Sequence, residues 1–199
     1  MDTSVLAALA AFAFVTSVTP GPNNLMLMAS GTNFGFRRTI PHMLGVGVGF
    51  TLMIVLVGLG LMQVFAAVPA AYNAIRIASV AYLLWMAWHI ATAPPPSAEG
   101  PSAAKPMTFL QAALFQWINP KAWTMAVTAL SAYMPAGDRL TGLLTVAFVF
   151  GAINLPIVGS WAWMGVQLRR LLSDPVKLRA FNVIAALLLV GSLWPIVFG

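Results

Sequence analysis

The chain has 199 residues, of which 60% are hydrophobic and only 7% are charged, and its mean hydropathy is +0.90. A soluble domain contains about 25% charged residues, so this composition predicts a membrane protein, and the absence of cysteine excludes disulfides, thiol catalysis and cysteine-ligated metals. The formal net charge of +6 is spread over a few short loops and forms no basic face, which argues against nucleic-acid binding.

Six apolar segments follow one another along the chain, each near the length of about 20 residues that spans the hydrocarbon core of a bilayer. The first lacks a positively charged start and continues past Pro22, so we expect a retained transmembrane helix and not a signal peptide. A linker rich in proline, serine and alanine, at residues 94–105, separates two halves at 1–93 and 106–199 of what we predict to be one transmembrane domain. The segments are Ser4–Met28, Ile40–Phe65, Tyr72–Ala91, Thr108–Met134, Gly142–Leu168 and Leu178–Phe198.

A proline–asparagine signal interrupts the first segment after Val18. A lone proline would be typical of a kink, but two prolines around a glycine, followed by two asparagines, free several backbone groups at a depth where lipid cannot bond to them. A half-helix that begins near Pro22 would direct N–H groups and a partial positive charge at an anion such as a carboxylate. The candidate substrate-binding residues here are Thr19, Pro20, Gly21, Pro22, Asn23 and Asn24.

A second interruption, Asn119-Pro120-Lys121, lies inside the fourth segment. Paired interruptions in the two halves of a chain are typical of a transporter's substrate site, and oxygens near Asn119 are candidate ligands for an ammonium group. A lysine at bilayer depth is costly and is a functional candidate by default. Lys121 lies roughly 20 Å into its segment at 1.5 Å per residue. The alternative, a side chain that extends to the membrane interface, stays open for Lys121.

Other polar and small residues inside the segments have plainer interpretations. Asn154, in a disturbance of the fifth segment that includes Pro156, is retained as a candidate substrate ligand, although an ordinary hydrogen bond between helices is slightly favoured. Gly45 and Gly49 predict close helix packing. His42 and His89 lie near segment ends, which predicts interfacial positions.

Motifs that catalysis or ATP hydrolysis would need are missing from the chain. None of its four acids lies inside a predicted segment, so no carboxylate proton relay is visible. There is no H-E-x-x-H, no pair of intramembrane aspartates and no Walker A motif. We therefore predict that the protein is not an enzyme, with no catalytic residue, no cofactor and no metal ligand.

The distribution of lysine and arginine predicts the orientation of the chain. Seven of these residues lie in the odd-numbered loops and two on the opposite side, so we expect cytoplasmic odd loops and periplasmic termini. Three helices per half then give the halves opposite orientations, as in an inverted repeat. The predicted fold is thus an all-α membrane protein of six transmembrane helices in two inverted three-helix repeats, with helices 1 and 4 broken. The seven residues are Arg37, Arg38, Lys105, Arg169, Arg170, Lys177 and Arg179, against Arg76 and Arg139.

At these motifs the chain resembles the LysE/RhtB family of amino-acid exporters over essentially its whole length. The resemblance rests on T-P-G-P-N at 19–23, N-F-G-F-R at 33–37, A-Y-L-L-W at 81–85 and N-P-K at 119–121, together with the Gly45 and Gly49 helix. F-N-V at 181–183 and A-A-L-L-L at 185–189 resemble the branch that contains cysteine and O-acetylserine exporters.

The resemblance implies a multi-pass carrier of the bacterial inner membrane that exports amino acids or related small zwitterionic metabolites. It further implies that the proton motive force drives export and that the partners are the amino-acid substrate, the lipid bilayer and a second copy in a homodimer. Without an acid in the segments, a proton site needs a histidine, Lys121 or a loop carboxylate. The alternatives are a passive membrane channel or pore and a non-transporting scaffold. The family's motif residues carried over are Pro20, Gly21, Pro22, Asn23, Asn119, Pro120 and Lys121.

Overall fold

The part of the chain that the computed structural model describes, residues 1–61, 69–93, 105–135, 138–172 and 174–194, forms eight α-helices and no β-strand. This confirms the all-α prediction. The predicted linker at 94–105 lies, apart from its last residue, outside the described residues. The helices are α1 (Thr3–Val18), α2 (Pro22–Phe34), α3 (Phe36–Leu56), α4 (Pro69–Ala91), α5 (Phe109–Phe115), α6 (Pro120–Tyr133), α7 (Arg139–Leu171) and α8 (Pro175–Gly191).

Both predicted interruptions are present as helix breaks. Helices α1 and α2 are bent by 53° across the break that follows Val18. Each break has the same cause, because a proline disfavours the helical conformation in the residue before it and then starts the next helix well. Thr19 (φ −64°, ψ 142°) and Asn119 (φ −91°, ψ 109°) are accordingly extended. Pro22 and Pro120 are the first residues of α2 and α6.

The loop predicted between the first two segments, at residues 31–39, is wrong in its extent. Helix α2 continues to Phe34 and α3 begins at Phe36, so only Gly35 turns the chain, with φ 80°, which glycine adopts without strain. Hydropathy marks the depth of the hydrocarbon and not the length of a helix, so polar residues that continue a helix were assigned to the loop. Helix α7 runs through Pro156 without a break, so the disturbance predicted there does not interrupt the helix.

Among the described residues, two helical stretches, Phe36–Gly60 and Arg139–Arg169, are long and apolar enough to cross a membrane. A third is added if the bent pair of α1 and α2 counts as one span. Shorter apolar helices lie at Ile77–Ala91 and Phe109–Ile118. These features agree with a membrane protein, whereas the arrangement of six spans in inverted repeats stays a prediction.

Helix α7 packs against α1, α2 and α3, and glycines let the backbones approach closely. A Cβ atom on Gly31 would collide with the carbonyl oxygen of Ala162, and one on Gly165 with that of Met28. The prediction of close packing at Gly45 and Gly49 is confirmed, because both face α5. The short helix α5 is thereby held against α3. The break between α5 and α6 consequently lies beside the break between α1 and α2.

Candidate functional site

A reciprocal pair of amide hydrogen bonds joins the two helix breaks. The Nδ2 of Asn23 donates to the Oε1 of Gln116 at 2.8 Å, and the Nε2 of Gln116 donates back to the Oδ1 of Asn23 at 3.2 Å. Gln116 is fully buried and also donates to the carbonyl oxygen of Ala112 at 2.8 Å. Asn23 and Gln116, which are 93 residues apart in sequence, are thus joined by two side-chain hydrogen bonds.

The side chain of Lys121 reaches from the second break to the first. Its Nζ donates to the Thr19 carbonyl oxygen at 2.6 Å and to the Thr19 Oγ1 at 2.9 Å, and lies 3.4 Å from the carbonyl oxygen of Pro20. Carbonyls at the end of a helix lack N–H partners within the helix and carry partial negative charge, so an ammonium group is well matched there. The ammonium therefore ends on backbone oxygens of α1's carboxyl end.

The stem of Lys121 passes over Gly21. A Cβ atom at Gly21 would lie 2.6 Å from the Lys121 Cδ. The φ of Gly21 is −173°, an extended value that any residue adopts. A side chain at this position would therefore have to displace the lysine, although the backbone itself would accept one.

Two further asparagines bind the end of α1. The Nδ2 of Asn24 donates to the carbonyl oxygens of Ser17 and Thr19, both at 2.8 Å. The Nδ2 of Asn154 donates to the Oγ of Ser17 at 3.1 Å, which is the bond between helices that the sequence favoured. The Oδ1 of Asn154 is buried and has no hydrogen-bond partner in the structure. This oxygen is a free acceptor beside the first break.

A small cavity of about 20 Å³ lies between the breaks. A water molecule needs about 10–15 Å³ by the same measure, so the cavity has room for about one water and is closed to an amino acid in this conformation. Thr19 and Pro20 hold Lys121 instead of lining the cavity, while Pro22 and Pro120 start their helices. The predicted site residues that line it are Gly21, Asn23, Asn24, Asn119, Lys121 and Asn154.

The family model described as LysE type translocator matches residues 14–192 of the chain. The chain belongs to this family. The resemblance drawn from the two proline–asparagine motifs is thus confirmed, and the family is one of translocators and not of enzymes.

Curated relatives of this translocator include the cysteine/O-acetylserine efflux proteins of Escherichia coli (strain K12), Shigella sonnei (strain Ss046) and Shigella flexneri. Each is 33% identical to the chain over 192 residues, which cover 96% of both sequences. No solved structure matches the chain.

Two polar residues of this translocator have positions that the sequence did not predict. Gln116 was noted only as a neighbour of the second break, although a glutamine inside an apolar segment is a signal for a buried partner. His42 is buried, which the sequence did not predict: its side chain is only 2% exposed, and neither ring nitrogen has a hydrogen-bond partner in the structure, while its depth at the membrane interface stays a prediction. Its spacing from Gly45 and Gly49 placed it on the packed face of α3. His89, in contrast, is exposed in the last turn of α4.

Proposed function

We propose that this protein is a secondary exporter of a small zwitterionic amino acid or a closely related metabolite across the bacterial inner membrane, driven by the proton motive force. One observation carries the proposal: two helix breaks, one from each half of the chain, are bonded to each other around a polar cavity. The relatives named as cysteine/O-acetylserine efflux proteins support the choice of cargo class. The six-span inverted repeat, periplasmic termini and a homodimer belong to the same proposal.

The first turn of α2 would bind the carboxylate of the cargo. The leading N–H groups of a helix have no partners within it and carry partial positive charge. Asn23 and Asn24 supply these N–H groups, because Pro22 before them has none. Both side chains line the cavity, and Asn23 keeps one of its two amide hydrogens, so a carboxylate there would meet backbone N–H groups and this amide donor together.

The ammonium of the cargo would bind at the carboxyl end of α1. The oxygens near Asn119 serve this role poorly, because the carbonyl and the Oδ1 of Asn119 already accept N–H groups from α6. The oxygens of Thr19 and Pro20 already hold one ammonium, that of Lys121. Cargo would displace Lys121 from this position, which makes Lys121 the gating charge. Alternating access would then rock the two halves against each other around the breaks.

Counterflow in proteoliposomes tests this function. Purified protein is offered a panel of labelled amino acids, including cysteine and O-acetylserine, with and without an imposed pH gradient. We expect saturable exchange of one or a few members of the panel and acceleration by the gradient. A passive pore would give transport that neither saturates nor responds to the gradient, and a scaffold would move nothing; either result would overturn the proposal.

A further inference from the structure

A second and larger cavity lies between α2, α3, α4 and the start of α5. Its volume is about 350 Å³, within the range of about 300–1,000 Å³ that is typical of small-molecule sites. It is therefore large enough for a small metabolite, unlike the closed cavity between the helix breaks. We call it the His42 chamber. Its lining includes His42, Met26, Tyr82, Trp85, Met86 and Lys105.

The imidazole of His42 gives this chamber a recognition group that forms no hydrogen bond to any residue the structure describes. A neutral imidazole has one N–H donor and one acceptor nitrogen, and buried polar groups are nearly always hydrogen-bonded. Both nitrogens of His42 lack a partner in the structure. Ser30, on the neighbouring helix, is in contrast already bonded to Thr39 at 2.9 Å. A bound ligand would supply the partners that the fold leaves out for His42.

The other walls of the chamber match a zwitterion. Among the residues that the structure describes, the only charged side chain in its lining is that of Lys105, and none of these lining residues is an acid. A carboxylate is therefore favoured near Lys105, and a small movement of the His42 ring, whose nitrogens are enclosed in this conformation, would bring its N–H to the same group. The aromatic rings of Tyr82 and Trp85 are suited to an ammonium group, because cations are attracted to the faces of such rings.

The chamber lies on the helix face that leads to the two breaks. Its α2 residues Met26, Ser30 and Asn33 follow Asn23 at intervals of three or four residues, so all four share one face. Met26 and Phe115 belong to one buried apolar cluster, and Phe115 directly precedes the Gln116 that bonds to Asn23. Met26 and Phe115 therefore lie between the chamber and the residues of the helix breaks along these two helices.

We propose that the His42 chamber is a second cargo site, which binds the zwitterion on the cytoplasmic side before it passes to the helix breaks. The proposal rests on the proposed export function for the identity of its ligand. The cytoplasmic side follows from the predicted orientation, in which the loop that contains Lys105 is cytoplasmic.

The natural absence of cysteine allows a direct test with single introduced thiols. Met86→Cys lies in the chamber, whereas Leu84→Cys, on the same helix, is outside its lining with a native side chain that is 46% exposed. A charged, membrane-impermeant thiol reagent is added to inside-out vesicles. We expect modification of Met86→Cys and not of the control Leu84→Cys. O-acetylserine should slow the modification of Met86→Cys severalfold.

The variant His42→Phe, made in the Met86→Cys protein, separates recognition from a structural role. It keeps an aromatic ring and removes two unpartnered nitrogens, so the protein should remain at least as stable to heat in detergent. We expect it to lose protection by O-acetylserine. Protection that survives His42→Phe overturns the role of this residue.

The outcomes distinguish the chamber from the export function itself. An unreactive Met86→Cys thiol, or one that O-acetylserine does not protect, in protein that still catalyses counterflow overturns the chamber and leaves the export function standing. Protein that shows protection in the labelling test but exchanges no member of the panel supports the chamber and overturns export.

Discussion

At the scale of single residues, the site depends on contacts between positions about a hundred residues apart. The prolines and asparagines of both breaks could be predicted from sequence, because proline acts on its immediate neighbours. The bond from Lys121 to Thr19 could not, since nothing local specifies which oxygen a lysine reaches 102 residues away. The burial of His42 could not be predicted for a related reason: hydropathy located the segment end, while packing against another helix decides which side chains are buried.

The contact between Gly21 and Lys121 predicts a strong coupling between two substitutions. Gly21→Ala should displace the lysine from Thr19 and reduce efflux. In a Lys121→Ala background the same change should have little further effect, because the clash is gone. Rates for the four proteins form a double-mutant cycle, and we expect a coupling of about 0.5–3 kcal/mol. Additive effects would contradict this account of Gly21.

The amide pair between Asn23 and Gln116 predicts losses of both transport and stability. Asn23→Ala leaves the buried Oε1 of Gln116 without its donor, at a cost of about 1–3 kcal/mol. We expect a lower melting temperature in detergent and loss of counterflow. Thr124→Ala, which removes an exposed hydroxyl one turn into α6, is the matched control and should be near neutral. Unchanged efflux in both Asn23→Ala and Asn119→Ala would contradict the site assignment.

At the scale of helices, glycine contacts hold α2 against α7. Gly165→Leu would force its side chain into the backbone of α2 at Met28, so we expect severe destabilisation and low yield. Gly191→Ala, at the end of α8, meets nothing within 4 Å and should be neutral or slightly stabilising, since alanine is the better helix former. Thermal unfolding in detergent compares the two. Equal stability of both variants would show that the helices do not pack in this way.

Helix caps restrict which loop carboxylate could carry a coupling proton. The Thr141 hydroxyl donates to Asp138 at 2.6 Å and its backbone N–H at 3.2 Å. These bonds lower the pKa of Asp138 below the ordinary value for aspartate, about 3.9. The cap therefore contributes at neutral pH and is lost only as pH falls through this lowered pKa. Asp138→Asn should leave the dependence of counterflow on a pH gradient unchanged near pH 7, and a lost dependence would assign the proton to Asp138.

At the scale of the whole molecule, orientation is the prediction that decides the direction of transport. The charge distribution predicts periplasmic termini and a cytoplasmic fifth loop. In intact cells, an impermeant maleimide should label Asp2→Cys, and it should label Val176→Cys only after the membrane is opened. Both native residues are exposed in the structure. The reverse pattern would mean that the His42 chamber opens to the periplasm.

The binding of Lys121 to the end of α1 has a consequence for a cell that makes much of this protein. With no cargo present, the carrier keeps its own ammonium group on the oxygens of Thr19 and Pro20. Under the proposed gating role of Lys121, an empty carrier would seal itself, and each release of cargo would be followed by the return of the tethered lysine to the same oxygens. We therefore expect abundant idle protein to leave the metabolite pool and the proton gradient intact. Leakage of metabolite or protons through the empty carrier should not increase with the amount of protein, because Lys121 closes each copy.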